Sequence, residues 1–146
     1  SELAGIENLE DYTIVVLLHH HVFKVSKSDF LKIRWREKSI FGSILDKSKA
    51  LVDANMFATW LQQRHIKYVL HGHKHVPYFM NKNGTYYISA GSATGGLKES
   101  ESHYYSYNVL RYDYMDKKMK TCLIFYDDNK KAERKRVEVY LMEEDK

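Results

Sequence analysis

Eight histidines are spread over 146 residues, and most of them fall into two short clusters, His19-His20-His21 and His71-Gly72-His73-Lys74-His75. Neutral imidazole is the commonest side-chain metal ligand, so the chemical question is whether several of these rings converge. His73 and His75 are two apart, and in an extended segment that spacing puts both side chains on one face. Gly72, having no Cβ, lets the chain turn tightly and approach an ion closely. His19 opens the other cluster. If both clusters end neighbouring strands, three imidazoles meet at one place. The plainer reading stands beside this one, because a single histidine at a strand end is more often hydrogen-bonded for structural reasons than bound to a metal.

The elements around the clusters favour convergence. Residues Tyr12 to Leu18 are a continuous apolar, β-branched run, as expected of a strand buried on both faces, and the run stops at the first cluster. Ile66 to Leu70 is a second strand and stops at the second cluster. Between them, Val22 to Lys47 has no clean period and reads as a long ordered loop with short helical turns. Ser48 or Asp53 can then cap a helix running to about Arg64, in which Met56 with Trp60 and Phe57 with Leu61 are i,i+4 apolar pairs. Strand, loop, helix, strand is the order of a crossover unit, which sets the two strands parallel and their histidine-bearing ends side by side.

Downstream the pattern changes to antiparallel. Val76 to Met80 and Thr85 to Ala90 flank Asn83-Gly84, a turn signal for a hairpin. Gly91 to Gly96 is a loop. Tyr105 to Tyr112, Lys120 to Tyr126 and Arg134 to Met142 form a meander.

Composition is consistent with one soluble α/β domain over residues 1–146: 44% hydrophobic, 29% charged, with twelve Tyr and six Phe against one Pro. The net charge of +4 suits anionic ligands but does not single out nucleic acid. Cys122 has no partner for an intrachain disulfide, which favours a reducing, cytoplasmic setting. No apolar run reaches the roughly 20 residues of a membrane span. The basic run Lys130 to Arg136 reads as a solvated turn, and Arg34, Trp35, Arg36 and Lys38 as a basic loop packed by one tryptophan.

With these residues in place, the chain resembles the C-terminal half of the calcineurin-like metallophosphoesterases, and within them the cyclic-nucleotide phosphodiesterase branch. The motifs are Ile14-Val15-Val16-Leu17-Leu18-His19-His20, Val69-Leu70-His71-Gly72-His73-Lys74-His75 and Ile88-Ser89-Ala90-Gly91-Ser92. The resemblance spans about residues 12 to 96. It implies half of a four-layer α/β/β/α sandwich and a centre of two divalent ions, Mn, Fe or Zn, that hydrolyses phosphoesters. His19 and His73 would bind one ion and His75 the other. His20 would lie behind the ligands, or hydrogen-bond to nearby backbone. His71 and Lys74 would touch substrate, or be solvated loop residues.

The sequence also departs from the family. It has His21-Val22-Phe23 where a proline usually follows the histidine pair, and it contains no Asp-x-His, Gly-Asp or Asn-His, so the acidic ligands and the usual general acid are missing. The expectation is therefore a piece of a longer enzyme, inactive alone and with no catalytic residue of its own. It would need a phosphoester substrate and the missing N-terminal half, and its exposed apolar edge invites homo-oligomers. A non-catalytic binding module on the same fold is the alternative.

Overall fold

The computed structural model describes residues 11–23, 51–73, 77–91, 97–99, 102–127 and 136–142. Most of the long loop expected from Val22 to Lys47 lies outside them, as do Ser48, Lys74, His75, Val76, residues 92–96 and the basic run up to Lys135.

The first strand, β1 (Val15–Leu18), precedes the helix α1 (Ala54–Gln63), which leads into β2 (Tyr68–His71). Strands β1 and β2 pair in parallel, with Val15 beside Tyr68 and Leu18 beside His71. This is the crossover arrangement expected from the alternation of elements. The hairpin also forms, as β3 (Tyr78–Lys82) and β4 (Thr85–Ser89). Asn83 and Gly84 both have positive φ, 54° and 77°, as a two-residue turn of this kind requires. β4 pairs in parallel with β2, so the first sheet is ordered β1-β2-β4-β3 and only β3 runs against the rest. The second sheet is an antiparallel meander, β5 (Leu97–Glu99), β6 (Ser102–Asp113), β7 (Lys118–Asp127) and β8 (Arg136–Met142), paired in chain order. β5 was not anticipated, being three residues long and charged at two of them.

Layering follows from the alternation of side chains along each strand. Val69 and Tyr87 face α1, where they pack with Val22, Leu61 and Ile66. Tyr68 and Ile88 face the second sheet and pack with Met119. β2 is thus covered on both faces, as a strand of a parallel sheet ordinarily is. Burying a side chain such as Leu61 completely stabilises the fold by about 1.5–3 kcal/mol. Hydrogen bonds tie the second sheet to the first and to the segment before β1: Asn108 Nδ2 donates to the Ser89 carbonyl at 2.9 Å, and the Thr13 hydroxyl donates to Tyr112 Oη at 2.8 Å.

The helix corrects one detail of the sequence reading. Phe57 and Leu61 do face the sheet, but Met56 is 74% exposed and makes no buried pair with Trp60. At 100° per residue Met56 is carried off the face that Phe57 and Leu61 share. Trp60 instead stacks on Phe57, with 5.9 Å between ring centroids, and carries the Arg64 guanidinium 4.7 Å above its own ring. Asp53 occupies the N-cap position without a side-chain cap bond.

The end of the helix aims β2. His65 N–H donates to the Gln62 carbonyl and Ile66 N–H to the Leu61 carbonyl, with His65 at φ 52°. This is a Schellman closure with histidine where glycine is usual, and buried Leu61 and Ile66 supply its apolar contact.

Candidate functional site

β1 and β2 run in the same direction, so their C-terminal ends lie together. The ladder continues one step beyond the strands, where the Gly72 N–H donates to the His19 carbonyl at 3.2 Å. The chain then bends at His19 and His20, so these neighbours no longer project to opposite sides as strand residues would. Both rings lean toward His73: centroids are 4.8 Å apart for His19 and His20, 5.2 Å for His19 and His73, and 4.3 Å for His20 and His73. One nitrogen from each ring lies within 4.8 Å of the others, and all three residues are exposed.

The structure therefore brings together His19 and His73, two of the three expected ligands, and adds His20, which the sequence reading placed behind the ligands. The expected third ligand, His75, and the neighbouring Lys74 lie outside the described residues.

Gly72 itself does not take a positive φ. The turn is made by His73, at φ 75°, in the left-handed region where any residue with a Cβ is strained. A Cβ added at Gly72 would meet only the His19 carbonyl oxygen, at an ordinary 4.0 Å. Histidine is among the residues that tolerate this conformation best, and the cost, about 1–2 kcal/mol, is one that clusters at functional sites.

Behind the cluster the packing is tight. His21 is fully buried, and its ring stacks on that of His73 at 6.1 Å between centroids and 19° between planes. Val22 enters the core under α1, and Phe23 meets Tyr87 edge-on at 5.2 Å with the Lys82 ammonium 3.7 Å from its ring centroid. These two side chains fix the exit of the histidine segment, at the place where the family that the sequence resembles usually has a proline.

His71, read from sequence as a substrate contact or a solvated loop residue, lies in a strand rather than a solvated loop. It is the last residue of β2 and is buried, with Nε2 hydrogen-bonded to the Tyr78 hydroxyl at 3.0 Å. A β-ladder position between Leu18 and Ser89 holds it inside the fold. Burial disfavours the charged imidazolium and lowers its pKa from 6.5 to about 4, against a smaller opposing effect of the Gly72 backbone and with a minor contribution from His21. Sequence reasoning missed Tyr78 as a partner for this ring; the signal was there in Pro77-Tyr78, which opens a strand directly after the cluster.

The dimensions of the cluster fit a transition-metal ion in part. Zinc–imidazole bonds of about 2.0–2.1 Å around a tetrahedron separate ligand nitrogens by about 3.3 Å. His73 Nδ1 and His19 Nε2 are 3.3 Å apart. The wider limit of 4.8 Å for the group as a whole means that one ring must shift by up to roughly 1.5 Å for all three to bind one tetrahedral ion. The group contains no carboxylate, a donor set suited to zinc, copper or nickel rather than magnesium or calcium.

Neither a protein-family description nor a curated protein matches the chain. Solved structures do resemble it. A single aspartate-to-alanine mutant of Vps29 from Entamoeba histolytica is 18% identical with a TM-score of 0.46, over 88% of this chain and 59% of that one. Wild-type Vps29 from the same organism, complexed with zinc, is 19% identical with a TM-score of 0.46, over 66% and 51%. A conserved protein from Streptococcus pneumoniae, described as a predicted phosphoesterase, is 18% identical with a TM-score of 0.38, over 58% and 45%. The chain thus spans about half the length of these structures.

Proposed function

We propose that this chain supplies the histidine part of a divalent-metal centre that hydrolyses phosphoesters. The observation that carries the reading is the meeting of His19, His20 and His73 at the ends of two parallel strands, with ligand atoms within 4.8 Å. His19 and His73 are the principal ligands, and their 3.3 Å spacing is close to a tetrahedral edge. His20 is the third donor to the same ion, and His75 belongs to a second ion.

A bound ion would polarise a phosphoryl oxygen and lower the pKa of a coordinated water. The chain's own contribution is orientation. His21 stacks against His73, the Gly72 to His19 hydrogen bond holds the two strand ends in register, and exposure of the three rings leaves their free side open to an anionic substrate. Neutral imidazoles give the ion no charge compensation. The carboxylates that a dinuclear centre needs would come from outside this group, and on this reading the chain alone binds metal but turns over little.

Titration calorimetry with zinc and with manganese tests this on the full chain and on His19→Ala, His20→Ala and His73→Ala. Each variant is expected to lose at least about tenfold in zinc affinity, with manganese binding weaker throughout. Zinc affinity unchanged on removing all three rings together would end the proposal. A second reading is a binding module without catalysis, built on the three imidazoles that are the group's donors among the described residues. It predicts metal binding with no hydrolysis of a generic phosphodiester even when the acidic part of a longer chain is present.

A further inference from the structure

Three consecutive histidines follow β1, and the fold treats them unequally. His19 and His20 are exposed and converge with His73. His21 is fully buried, next to Val22 in the core under α1, and is not one of the converging donors. It nonetheless meets the cluster, because its ring lies within 19° of the plane of the His73 ring at 6.1 Å between centroids. His19 and His20 meet His73 edge-on instead, at 73° and 74°.

His73 needs a support of this kind. At φ 75° it holds a left-handed backbone, which a residue with a Cβ adopts less readily than the right-handed one by a factor of roughly 5–30. An aromatic stack at this separation shifts an equilibrium by a factor of roughly 2–12. The two are of the same order, so the stack offsets a substantial part of the strain. Exposed side chains change rotamer within nanoseconds, so the edge contacts of His19 and His20 do not fix His73 before an ion arrives. A buried ring does.

We infer that His21 is the positioning residue of the proposed centre. Its buried ring is a fixed plate on which the His73 ring lies flat, and it holds His73 in the backbone conformation that brings Nδ1 to 3.3 Å from His19 Nε2. The role in metal binding depends on the centre proposed above; the hold on the His73 backbone does not. Apparent affinity scales with the fraction of the chain already in the binding conformation. Loosening the plate therefore weakens metal binding without removing a ligand, and the face of the His21 ring, rather than its nitrogens, is what acts.

Two substitutions at this buried position separate the ring face from mere bulk. His21→Leu keeps the site filled without a plane, and His21→Phe keeps the plane without nitrogens. Val22→Ala, which opens a cavity at the next core position, is the control for general loosening of the fold. In the metal-free full chain, NMR reads the turn, because an intense cross-relaxation peak between a residue's own amide and Hα protons marks positive φ. His73 should show this mark, with a contact between the ring protons of His21 and His73. The mark should persist in His21→Phe and Val22→Ala and weaken in His21→Leu. Titration calorimetry should give a zinc affinity roughly three- to tenfold lower in His21→Leu, and within about twofold of the unmutated chain in the other two. The assignment is overturned if the unmutated chain lacks the mark, if His21→Leu leaves either the mark or the affinity unchanged, or if His21→Phe or Val22→Ala shares the loss. A chain that binds no zinc at all ends the metal-centre reading, and the amide-to-Hα peak then decides by itself whether His21 holds the turn.

Discussion

Replacing Gly91 by alanine probes a close approach of the segment after β4 to the second sheet. Gly91 lies two residues past the end of β4, and a Cβ built there runs into Ser106 of β6, meeting first its Oγ, then its Cβ at 2.9 Å and its carbonyl oxygen at 3.1 Å. The hydroxyl can rotate aside. The Cβ and carbonyl cannot, because Ser106 is buried and its strand is held in ladder with Phe125 of β7. Carbon atoms settle at about 3.5–4.0 Å, so the sheets must part locally by more than half an ångström. Overpacking of this kind costs about 1–3 kcal/mol. Parting the sheets also stretches the nearby bond from Asn108 to the Ser89 carbonyl, worth about 1 kcal/mol.

The expected destabilisation is therefore about 2–4 kcal/mol, which for a slope of about 2 kcal/mol per molar moves the urea midpoint down by about 1–2 M. The sign is informative, since Gly→Ala at an unstrained site stabilises by about 0.4–1 kcal/mol. Gly91 is not among the residues with positive φ, so steric contact rather than backbone conformation decides the outcome. The assay is urea unfolding followed by far-UV circular dichroism. Adding Ser106→Ala removes only the hydroxyl and should restore about 1 kcal/mol at most. A loss below about 0.5 kcal/mol for Gly91→Ala, or full rescue by Ser106→Ala, would refute the close sheet contact.

Three further substitutions and one pH profile test the surroundings of the site. His65→Gly should stabilise the chain by about 0.5–1 kcal/mol in the same unfolding assay, because His65 holds the left-handed position of a Schellman closure. His73→Gly should abolish the His73 contribution to zinc binding as completely as His73→Ala, yet leave the protein about 1 kcal/mol more stable than His73→Ala, since φ is 75° there. Gly72→Ala should change stability by less than about 0.5 kcal/mol, its Cβ meeting a single oxygen at 4.0 Å. His71 is neutral in the folded chain down to about pH 4 but takes a proton in the unfolded chain below 6.5. Its contribution is fully present above pH 6.5 and is lost as pH falls toward 4, about 3 kcal/mol at most. A His71→Phe variant should lack that part of the slope in urea midpoints measured from pH 7 to 4.

The strand ends were legible in sequence because two independent signals coincide there, an apolar β-branched run and an abrupt change to histidine. The crossover order then left parallel pairing as the arrangement, and β1 and β2 pair that way. The ring that joins His19 and His73 was not legible. Strand parity sends His19 and His20 to opposite sides, and only the bend after Leu18 cancels it; bends of this kind depend on where Val22 and Phe23 find their core contacts. Gly72 was credited with the turn on residue type alone, whereas the stacking of His73 on His21 accompanies the left-handed backbone at His73. His71 was misread for a related reason. It sits within a histidine-rich string, and only the ladder register with Leu18 and Ser89 reveals it as the last residue of a buried strand.

The proposed centre traces to the place of β1 in the sheet. Parallel pairing brings like ends of β1 and β2 together, which is why histidines 54 residues apart in the chain touch. Had β1 been the antiparallel member, as β3 is, its histidines would lie at the far end of the sheet from His73. His19 and His20 lie beyond the last residue of the strand and are exposed, as His73 is. Their part in the proposed centre is therefore separable from the packing of the sheet. His20→Ala should weaken zinc binding at least about tenfold while the urea midpoint stays unchanged. If the midpoint fell along with the affinity, the ring would belong to the packing of the strand end and the loss of zinc binding would be a consequence of that packing.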